Sequence, residues 1–259
     1  MHSILITGAS SGIGRALAHE LAAPGRRLLL TGRNPERLTE TAKGLPGDVA
    51  TVSVDLLSAA DRSRLLDIAV NRDVIMLINN AGLGAFGRLT DANDALIEPL
   101  FAANVLAPIQ LTRDLIPHFH NRPGARIVNI GSTFGSIGFP GQSLYCASKF
   151  ALRGFSEALR RELAETGIRV QYIAPRATRT GLNTAAVDTL NTALGNHSDT
   201  PEWVARQIVR SLHGSAGERY LGWPEKLFVR LNAIVPGLLD RYFRRHHTVI
   251  ERALEGEGS

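Results

Sequence analysis

A short β-rich run that leads through a glycine-rich turn into a helix constrains the fold of this chain more than any other stretch. Ser3 to Thr7 is the predicted strand, the turn reads Gly8-Ala-Ser-Ser-Gly12-Ile-Gly14, and apolar residues then recur at helical spacing as far as Ala22. Glycines let the backbone come close to a pyrophosphate, and the helix N-terminus presents free amides and a positive dipole end. The sequence therefore predicts that a dinucleotide binds at this turn.

Apolar runs of the kind found in buried parallel strands recur along the chain and alternate with helical patterns. After the first strand, the predicted strands cover residues 28–31, 51–54, 74–78, 126–130, 169–173 and 218–221. This alternation predicts an α/β fold with a doubly wound parallel sheet, the Rossmann fold. We expect a single catalytic domain over residues 1–222, followed by a basic, amphipathic helical extension over residues 223–259.

The residues at the ends of three predicted strands indicate which dinucleotide is bound. A cofactor with a free ribose 2′-hydroxyl usually meets an acid at the end of the second strand, and this chain has Gly32-Arg33 there. An arginine can pair with a 2′-phosphate, so NADP(H) is preferred unless Arg33 is only a solvated loop charge. Asp55 and Leu56 follow the third strand, where they can reach the adenine. Asn79-Asn80-Ala81-Gly82 follows the fourth, where a ligand would lie.

Tyr145 and Lys149 lie four residues apart in a long amphipathic helix that begins after Gly141 and continues to Leu163. Their side chains therefore project from the same side, one turn apart. A phenol has a reference pKa of about 10, and a nearby ammonium favours its ionised form, so the pair is typical of a tuned proton donor. The alternative is that the lysine is simply solvated.

Two further polar residues are placed to support this pair. Ser132 follows the fifth strand, and the glycine-rich loop between it and Tyr145 can fold the serine hydroxyl back beside the phenol to hold a carbonyl oxygen. Asn104 lies in a predicted helix over residues 94–119, close to Pro108. Because proline removes a backbone donor, we expect the helix to be interrupted there and to leave carbonyls near Asn104 without their usual partners.

In their order and spacing these motifs resemble the classical short-chain dehydrogenase/reductase family. The matching residues, within roughly residues 3–185, are Thr7-Gly8-Ala-Ser-Ser-Gly12-Ile-Gly14, Asn79-Asn80-Ala81-Gly82, Asn104, Ser132 and Tyr145-Cys-Ala-Ser-Lys149. The resemblance implies that Tyr145 is the general acid in reduction, that Lys149 lowers its pKa and holds the nicotinamide ribose, and that Ser132 orients the substrate carbonyl. It further implies that Asn104 supports a water chain that relays protons from the lysine.

The segment after the sixth strand matches the family only in part. Pro175 and Thr180 agree with the family pattern Pro-Gly-x-Val-x-Thr, but Arg176 replaces the glycine and Thr178 the valine. Arg176 would face an anionic substrate or pair with an acid. The complete set of predicted cofactor contacts is Gly8, Ser10, Ser11, Gly12, Ile13, Gly14, Arg33, Asp55, Leu56, Asn80, Ala81, Gly82, Tyr145, Lys149, Pro175, Thr178 and Thr180.

Composition narrows the remaining possibilities. The single cysteine, Cys146, rules out an internal disulfide and a cysteine-based metal cluster, and the chemistry above requires no metal. The sequence begins without the basic and apolar regions of a signal peptide, and no apolar run approaches roughly 18 residues, so we expect a cytoplasmic protein. Much of the net charge of +5 lies between Lys226 and His247, which suggests an anionic surface rather than nucleic acid as a partner.

Residues 223–259 carry apolar side chains at helical steps, and Pro236-Gly237 is expected to divide them into two helices. Three interpretations stay open: packing on the same domain, packing across a subunit interface, or peripheral contact with a membrane through residues 223–250. Residues 181–198 are polar and suggest a mobile lid over the substrate. The resemblance implies a homo-oligomer, a dimer or tetramer, paired through the helices that carry Asn104 and Tyr145.

The sequence favours an NADP(H)-dependent oxidoreductase that transfers hydride between a nicotinamide and a small-molecule carbonyl or secondary alcohol, with a lipid-like substrate as one candidate. Two alternatives are a 3-oxoacyl-thioester reductase and a cofactor-binding sensor or scaffold that performs no chemistry. The intact set of Asn104, Ser132, Tyr145 and Lys149 argues against a sensor. A sensor has no use for a phenol beside an ammonium.

Overall fold

Seven strands, all parallel to their neighbours, form one sheet at the centre of the molecule. The structure, a computed structural model, describes residues 3–256. Its strands are β1 Ser3–Thr7, β2 Arg27–Gly32, β3 Asp48–Ser53, β4 Val74–Asn79, β5 Arg126–Ile130, β6 Arg169–Ala174 and β7 Glu218–Tyr220. Their order is β3-β2-β1-β4-β5-β6-β7, so it reverses between β1 and β4, where such sheets bind ligands. The predicted doubly wound sheet is confirmed.

Helices cover both faces of the sheet. They are α1 Gly12–Leu21, α2 Pro35–Ala42, α3 Ala59–Asn71, α4 Asp94–Phe101, α5 Ala107–Phe119, α6 Ser143–Glu162, α7 Ala185–Ala193, α8 Pro201–Leu212, α9 Glu225–Ile234, α10 Gly237–Arg245 and α11 His247–Glu255. Successive strand residues point to opposite faces, so each face has its own core. Ile6 packs with Leu17 of α1 and Ile208 of α8. Leu5 belongs to the opposite core, with Leu115 of α5.

The predicted interruption near Asn104 is present as a π-helical turn over Ala102–Leu106 between α4 and α5. Pro108 has no N–H with which to bond the carbonyl of Asn104 in the α-helical pattern, so the wider turn replaces it. The whole stretch is one helix, Asp94–Phe119, of 26 residues with a mean hydropathy of 1.3 in its most apolar window. By length and composition it could cross a membrane, so the expectation that no segment meets that standard is wrong. It also packs on the sheet through Leu115, as core helices do.

Two helices lie where the sequence analysis had none. Asn34 accepts a hydrogen bond from the Arg37 amide and caps α2, and Pro35 occupies its first turn. Thr184 caps α7 in the same way, inside the segment expected to be a mobile lid. Both caps were readable signals, since a capping side chain before a short apolar repeat favours a helix start.

As far as the structure describes the C-terminal extension, over residues 223–256, it forms three helices rather than two. The predicted break at Pro236-Gly237 is present, and a second break at His246 separates α10 from α11. The turn at His246 brings Ile250 and Leu254 into a buried cluster with Leu190 of α7. The free energy gained by burying these side chains exceeds the cost of interrupting the helix. Of the three open interpretations, packing on the same domain therefore holds for α11.

Candidate active site

The glycine-rich turn forms a close backbone cradle at the carboxyl end of β1. Gly8 and Gly12 have φ values of +66° and +52°, which side-chain-bearing residues rarely adopt. A Cβ on Gly8 would lie 2.8 Å from the Cα of Ala81, and one on Gly14 would collide with the Gly8 carbonyl. Ser11, at the N-cap of α1, makes no side-chain bond to the first-turn amides, which leaves them for an anion. The cradle fits a dinucleotide pyrophosphate.

The motif after β4 supports this cradle. The Asn80 side-chain amide donates to the carbonyls of Thr7 (3.0 Å) and Gly8 (3.3 Å). The backbone amides of Asn80 and Ala81 both donate to the Thr7 hydroxyl, at 3.0 Å each. The predicted contacts Asn80 and Ala81 thus hold the shape of the turn in addition to any contact with a ligand.

The residues expected near the adenosine lie together at the ends of β2 and β3. The hydroxyl of Ser53 donates to the carbonyl of Arg33 at 3.0 Å and joins the two strand ends. The Arg33 side chain is exposed and has no hydrogen bond or ion pair within residues 3–256. Ser10 lies beside Gly32, because a Cβ atom added to Gly32 would stand 3.1 Å from the Ser10 hydroxyl oxygen. Asp55 is exposed next to Leu56 and accepts the amide of Leu57 at 3.0 Å.

Tyr145, Lys149 and Ser132 converge as the sequence predicted. The Lys149 ammonium lies 5.6 Å from the centre of the Tyr145 ring, on the same side of α6. Ser132 and Tyr145 line the same cleft, and the Ser132 side chain is close enough to the phenol to affect its pKa. Lys149 is buried and donates to the carbonyl of Ile130 at 3.3 Å. The alternative of a lysine solvated on the helix surface is wrong.

The expected effect of Lys149 on the phenol is not what this environment produces. Burial raises the pKa of Tyr145 to about 12, and the nearby Ser132 side chain opposes only part of that rise. Burial also lowers the pKa of Lys149 to about 8. Desolvation therefore sets the direction of both pKa shifts. At neutral pH the phenol keeps its proton and the lysine keeps most of its charge, which suits proton donation to a substrate.

Asn104 ties the π-helical turn to its surroundings. Its side-chain oxygen accepts the amide of Leu83 at 2.8 Å, and its side-chain nitrogen donates to the Leu83 carbonyl (2.9 Å) and the Ser148 hydroxyl (3.0 Å). A Cβ on Gly82 would lie 2.8 Å from Asn104 Oδ1 and 3.7 Å from Lys149 Nζ. The side chains of Asn104 and Lys149 therefore both lie close to Gly82. The role of Asn104 in a proton relay stays a prediction.

The loop after β6 returns to the glycine-rich turn. A Cβ on Gly12 would lie 3.1 Å from the Thr180 methyl group, and the Thr178 hydroxyl donates to the Arg176 carbonyl at 2.9 Å. Arg176 itself binds both carboxylate oxygens of Asp199, at 2.8 and 3.0 Å, and one of Glu225 at 3.2 Å. Of its two predicted roles, pairing with an acid is the one observed.

A cleft of about 860 Å³, open to solvent, runs from the glycine-rich turn to Tyr145. Pro175, Thr178 and Thr180 line it on the side of β6. Its other lining residues include apolar side chains that the sequence analysis did not select, namely Phe86, Phe134, Leu182 and Val187. A second recess of about 580 Å³ shares Phe86 and is lined further by Leu89, Leu96, Leu144 and Leu254. No motif marked these residues, because lining by apolar side chains depends on how distant loops meet.

Comparison with known proteins decides the family. A model of the short chain dehydrogenase family matches residues 2–191. The chain belongs to the short-chain dehydrogenase/reductase family. Dehydrogenase/reductase SDR family member 7B from Bos taurus is 33% identical over 258 residues, which cover 92% of this chain and 79% of that protein. The ketoacyl reductase HetN of Nostoc is 31% identical, with 93% of this chain and 88% of that protein covered.

Solved structures of the family share the fold. A short-chain dehydrogenase from Sphingobium yanoikuyae in complex with NADPH is 27% identical with a TM-score of 0.76, covering 93% of this chain and 96% of that one. A short-chain dehydrogenase/reductase from Burkholderia phymatum in complex with NAD is 26% identical with a TM-score of 0.81, covering 92% and 95%. Family membership therefore establishes an oxidoreductase fold whose members use nicotinamide cofactors of both kinds.

Proposed function

We propose that this protein is an NADP(H)-dependent oxidoreductase that interconverts a carbonyl and a secondary alcohol. The observation that carries the proposal is that Ser132 and Tyr145 line one cleft together with Ile13 of the glycine-rich turn, while the Lys149 ammonium lies 5.6 Å from the centre of the Tyr145 ring. Tyr145 and Lys149 lie on α6, and Ser132 lies two residues after the end of β5. Both elements pack in the core, which favours a geometry that is set before any ligand binds.

In this mechanism the glycine cradle and Lys149 hold the dinucleotide, whose nicotinamide supplies or accepts hydride. The Ser132 and Tyr145 hydroxyls point to the place where negative charge grows on the substrate oxygen during reduction. Tyr145 then gives its proton to that oxygen, and the raised pKa ensures that the proton is present at neutral pH. In the oxidative direction the phenolate is needed, so that direction benefits from higher pH.

Replacing Tyr145 by phenylalanine tests the catalytic assignment against a non-catalytic sensor. We expect reduction of a panel of aldehydes, ketones and 3-oxoacyl thioesters, followed at the nicotinamide absorbance, to fall by roughly 10²- to 10⁴-fold. Binding of NADPH, measured by its fluorescence, should be nearly unchanged and serves as the folding control. Unchanged turnover in Tyr145→Phe would favour the sensor.

The NADP(H) preference rests on Arg33, which directly follows β2, is exposed and has no side-chain partner among residues 3–256. The solved relative with NADPH shows that the family takes this cofactor, and the one with NAD shows that the family alone does not decide. We expect Arg33→Ala to raise the Michaelis constant for NADPH by roughly tenfold or more, since a charge-assisted pair with phosphate is lost. The constant for NADH should change little.

Arg27→Ala is the matched control, because Arg27 lies at the other end of the same strand and pairs with Asp48. Arg27→Ala should not change the ratio of the Michaelis constant for NADPH to that for NADH. Equal effects of Arg33→Ala on NADPH and NADH would refute the contact with the 2′-phosphate.

The substrate is proposed to be apolar and extended, in keeping with a lipid-like carbonyl compound. Phe86 lines both the cleft at Tyr145 and the second recess, whose walls include Leu89, Leu96 and Leu254. A 3-oxoacyl thioester is the second candidate, supported by the similarity to a ketoacyl reductase. A chain-length series of 2-alkanones and 3-oxoacyl thioesters distinguishes them: preference for the thioester at equal length would favour the second candidate.

Assembly and location complete the proposal. Leu106 and Phe150 are exposed by 51% and 42% on the helices that carry Asn104 and Tyr145, so these helices have apolar surface to pair between subunits. We propose a homo-oligomer formed through them, a dimer or tetramer. We also propose a cytoplasmic location, with peripheral membrane contact through residues 223–250.

A further inference from the structure

A second phenol, that of Tyr172 on β6, lies directly beneath the loop that carries Ser132. Tyr172 is 1% exposed. Its hydroxyl accepts the backbone N–H of Ser132 at 3.2 Å and donates to the backbone carbonyl of Ser132 at 3.1 Å. One buried side chain therefore holds both backbone groups of a proposed active-site residue.

The two glycines around Ser132 make room for this phenol. A Cβ on either Gly131 or Gly135 would collide with the Tyr172 hydroxyl. The ring itself packs in a small cluster with Leu152 of α6. Burial raises the pKa of Tyr172, so its hydroxyl stays protonated and keeps donating to Ser132 throughout the neutral range. The Tyr172 phenol can therefore occupy this position only because residues 131 and 135 are glycines.

The position of Ser132 explains why such a support is useful. Gly131 donates to the Ile173 carbonyl in β6 at 2.8 Å and Thr133 to the Pro175 carbonyl just after β6 at 3.0 Å, so both continue the pairing of the sheet. On the opposite side the pairing of β4 with β5 ends at Asn129, so no β4 residue is paired with Ser132. The Tyr172 hydroxyl takes over the bonding that a neighbouring strand would provide.

We propose that Tyr172 is a positioning residue, whose phenol fixes the Ser132 backbone so that the Ser132 hydroxyl stays within reach of Tyr145 and of the substrate oxygen. This inference rests on the proposed function of Ser132. The serine hydroxyl also accepts the Phe134 amide at 3.1 Å, so its direction depends on the loop that Tyr172 holds. A shift of the loop would misalign a donor whose value depends on preorganisation.

Tyr172→Phe tests this inference, because it removes the hydroxyl and keeps the ring. With the carbonyl that the wild type reduces fastest in the panel above, we expect kcat to fall roughly tenfold, while the Michaelis constant for NADPH stays within about twofold. In a Ser132→Ala background the same substitution should have almost no further effect on kcat, since a positioning residue acts only through the group that it positions.

Tyr220→Phe is the matched control. The Tyr220 hydroxyl is hydrogen-bonded to that of Ser136 at 2.6 Å, further along the same loop, so this variant loses a comparable phenol bond away from Ser132. Its kcat should stay within about twofold of the wild type. A fall in kcat equal to that of Tyr172→Phe would show that any loosening of the loop has this effect, and would overturn the specific role of Tyr172.

Three outcomes separate the two levels of the proposal. If Ser132→Ala leaves kcat unchanged, the proposed function of Ser132 is wrong and the inference loses its basis. If Ser132→Ala lowers kcat but Tyr172→Phe lowers only the melting temperature, Tyr172 is merely structural. An equal fall of kcat on Tyr172→Phe with and without the Ser132 hydroxyl also overturns the positioning role.

Discussion

At the scale of single residues, burial of the charged Lys149 side chain in the active site lowers the stability of the folded protein. Its side chain is buried, and the single hydrogen bond found for it goes to the Ile130 carbonyl. Burial lowers its pKa from 10.5 to about 8, so the folded state binds this proton more weakly than the unfolded chain. Such a difference costs about 3 kcal/mol of folding free energy at neutral pH. A buried lysine that lowers stability is consistent with the role proposed above, in which Lys149 holds the dinucleotide.

We therefore expect Lys149→Met to stabilise the protein while abolishing turnover. The free energy of unfolding in urea at pH 7 should rise by about 1 to 3 kcal/mol, because a buried charge is replaced by an apolar side chain of similar length. The wild type should gain stability relative to the variant between pH 8 and 10.5, where only the unfolded chain still binds the proton.

Lys43→Met is the control, since Lys43 is exposed beyond α2 and should change stability by less than about 0.5 kcal/mol. A clear loss of stability in Lys149→Met would show that the charge is well compensated in the folded state. The lowered pKa would then have to be abandoned.

At the scale of elements, Arg176 joins the loop after β6 to the start of the C-terminal extension. Its side chain is 11% exposed, binds Asp199, and donates to the Trp223 carbonyl at 2.7 Å just before α9. Asp199 is 5% exposed, so it would be left as a buried charge if Arg176 were removed. The arginine in place of the family's glycine thus links Asp199, which precedes α8, to the start of the C-terminal extension.

Arg176→Ala should lower the free energy of unfolding by about 3 kcal/mol, because breaking this buried pair leaves the Asp199 carboxylate with only the exposed His197 side chain, at 3.3 Å, as a partner among the described ion pairs. Hydrogen exchange should increase in residues 185–198 and 223–234, which the side chain connects. Arg206→Ala is the comparison: Arg206 and Glu20 form an exposed pair at 3.8 Å, worth less than about 1 kcal/mol. Similar losses in the two variants would mean that Arg176 makes no special link.

The parts of the structure that the sequence did not predict share one physical cause. Strand and helix patterns, and the Tyr145–Lys149 spacing, follow from local periodicity, so the sheet and the centre of the site could be predicted. The lining by Phe86 and the support from Tyr172 depend on contacts between residues distant in the chain. The pKa of Tyr145 was mispredicted because a sequence shows its charged neighbour but not its burial.

At the scale of the whole molecule, the helices around Tyr145 present apolar surface away from the core. If the proposed oligomer forms there, Leu106→Asp and Phe150→Asp should each convert it to smaller species in sedimentation velocity, since a buried charge opposes association. Val70→Asp is the control, because Val70 is equally exposed on α3, outside these helices. Unchanged sedimentation in both test variants would place the interface elsewhere.

The C-terminal extension offers a different surface. Trp223, Leu227, Ile234, Val235, Leu238 and Tyr242 are all exposed large apolar residues. Their neighbours Lys226, Arg230, Arg241, Arg244 and Arg245 make the segment basic, with Asp240 as the only unpaired acid among residues 223–245. Apolar side chains next to cations match the interface of an anionic bilayer, where each cation contributes about 1 kcal/mol.

This surface predicts sedimentation of the full chain with vesicles of phosphatidylglycerol and phosphatidylcholine, but not with phosphatidylcholine alone. Binding should weaken as salt is raised, because screening removes the electrostatic part. Ile234→Asp, at the most exposed apolar position, 79%, should reduce binding severalfold, and Val70→Asp should not. If Ile234→Asp instead breaks the oligomer and vesicle binding never occurs, the extension faces a second subunit. The second recess, which Leu254 lines, would then open toward a protein partner rather than a lipid surface.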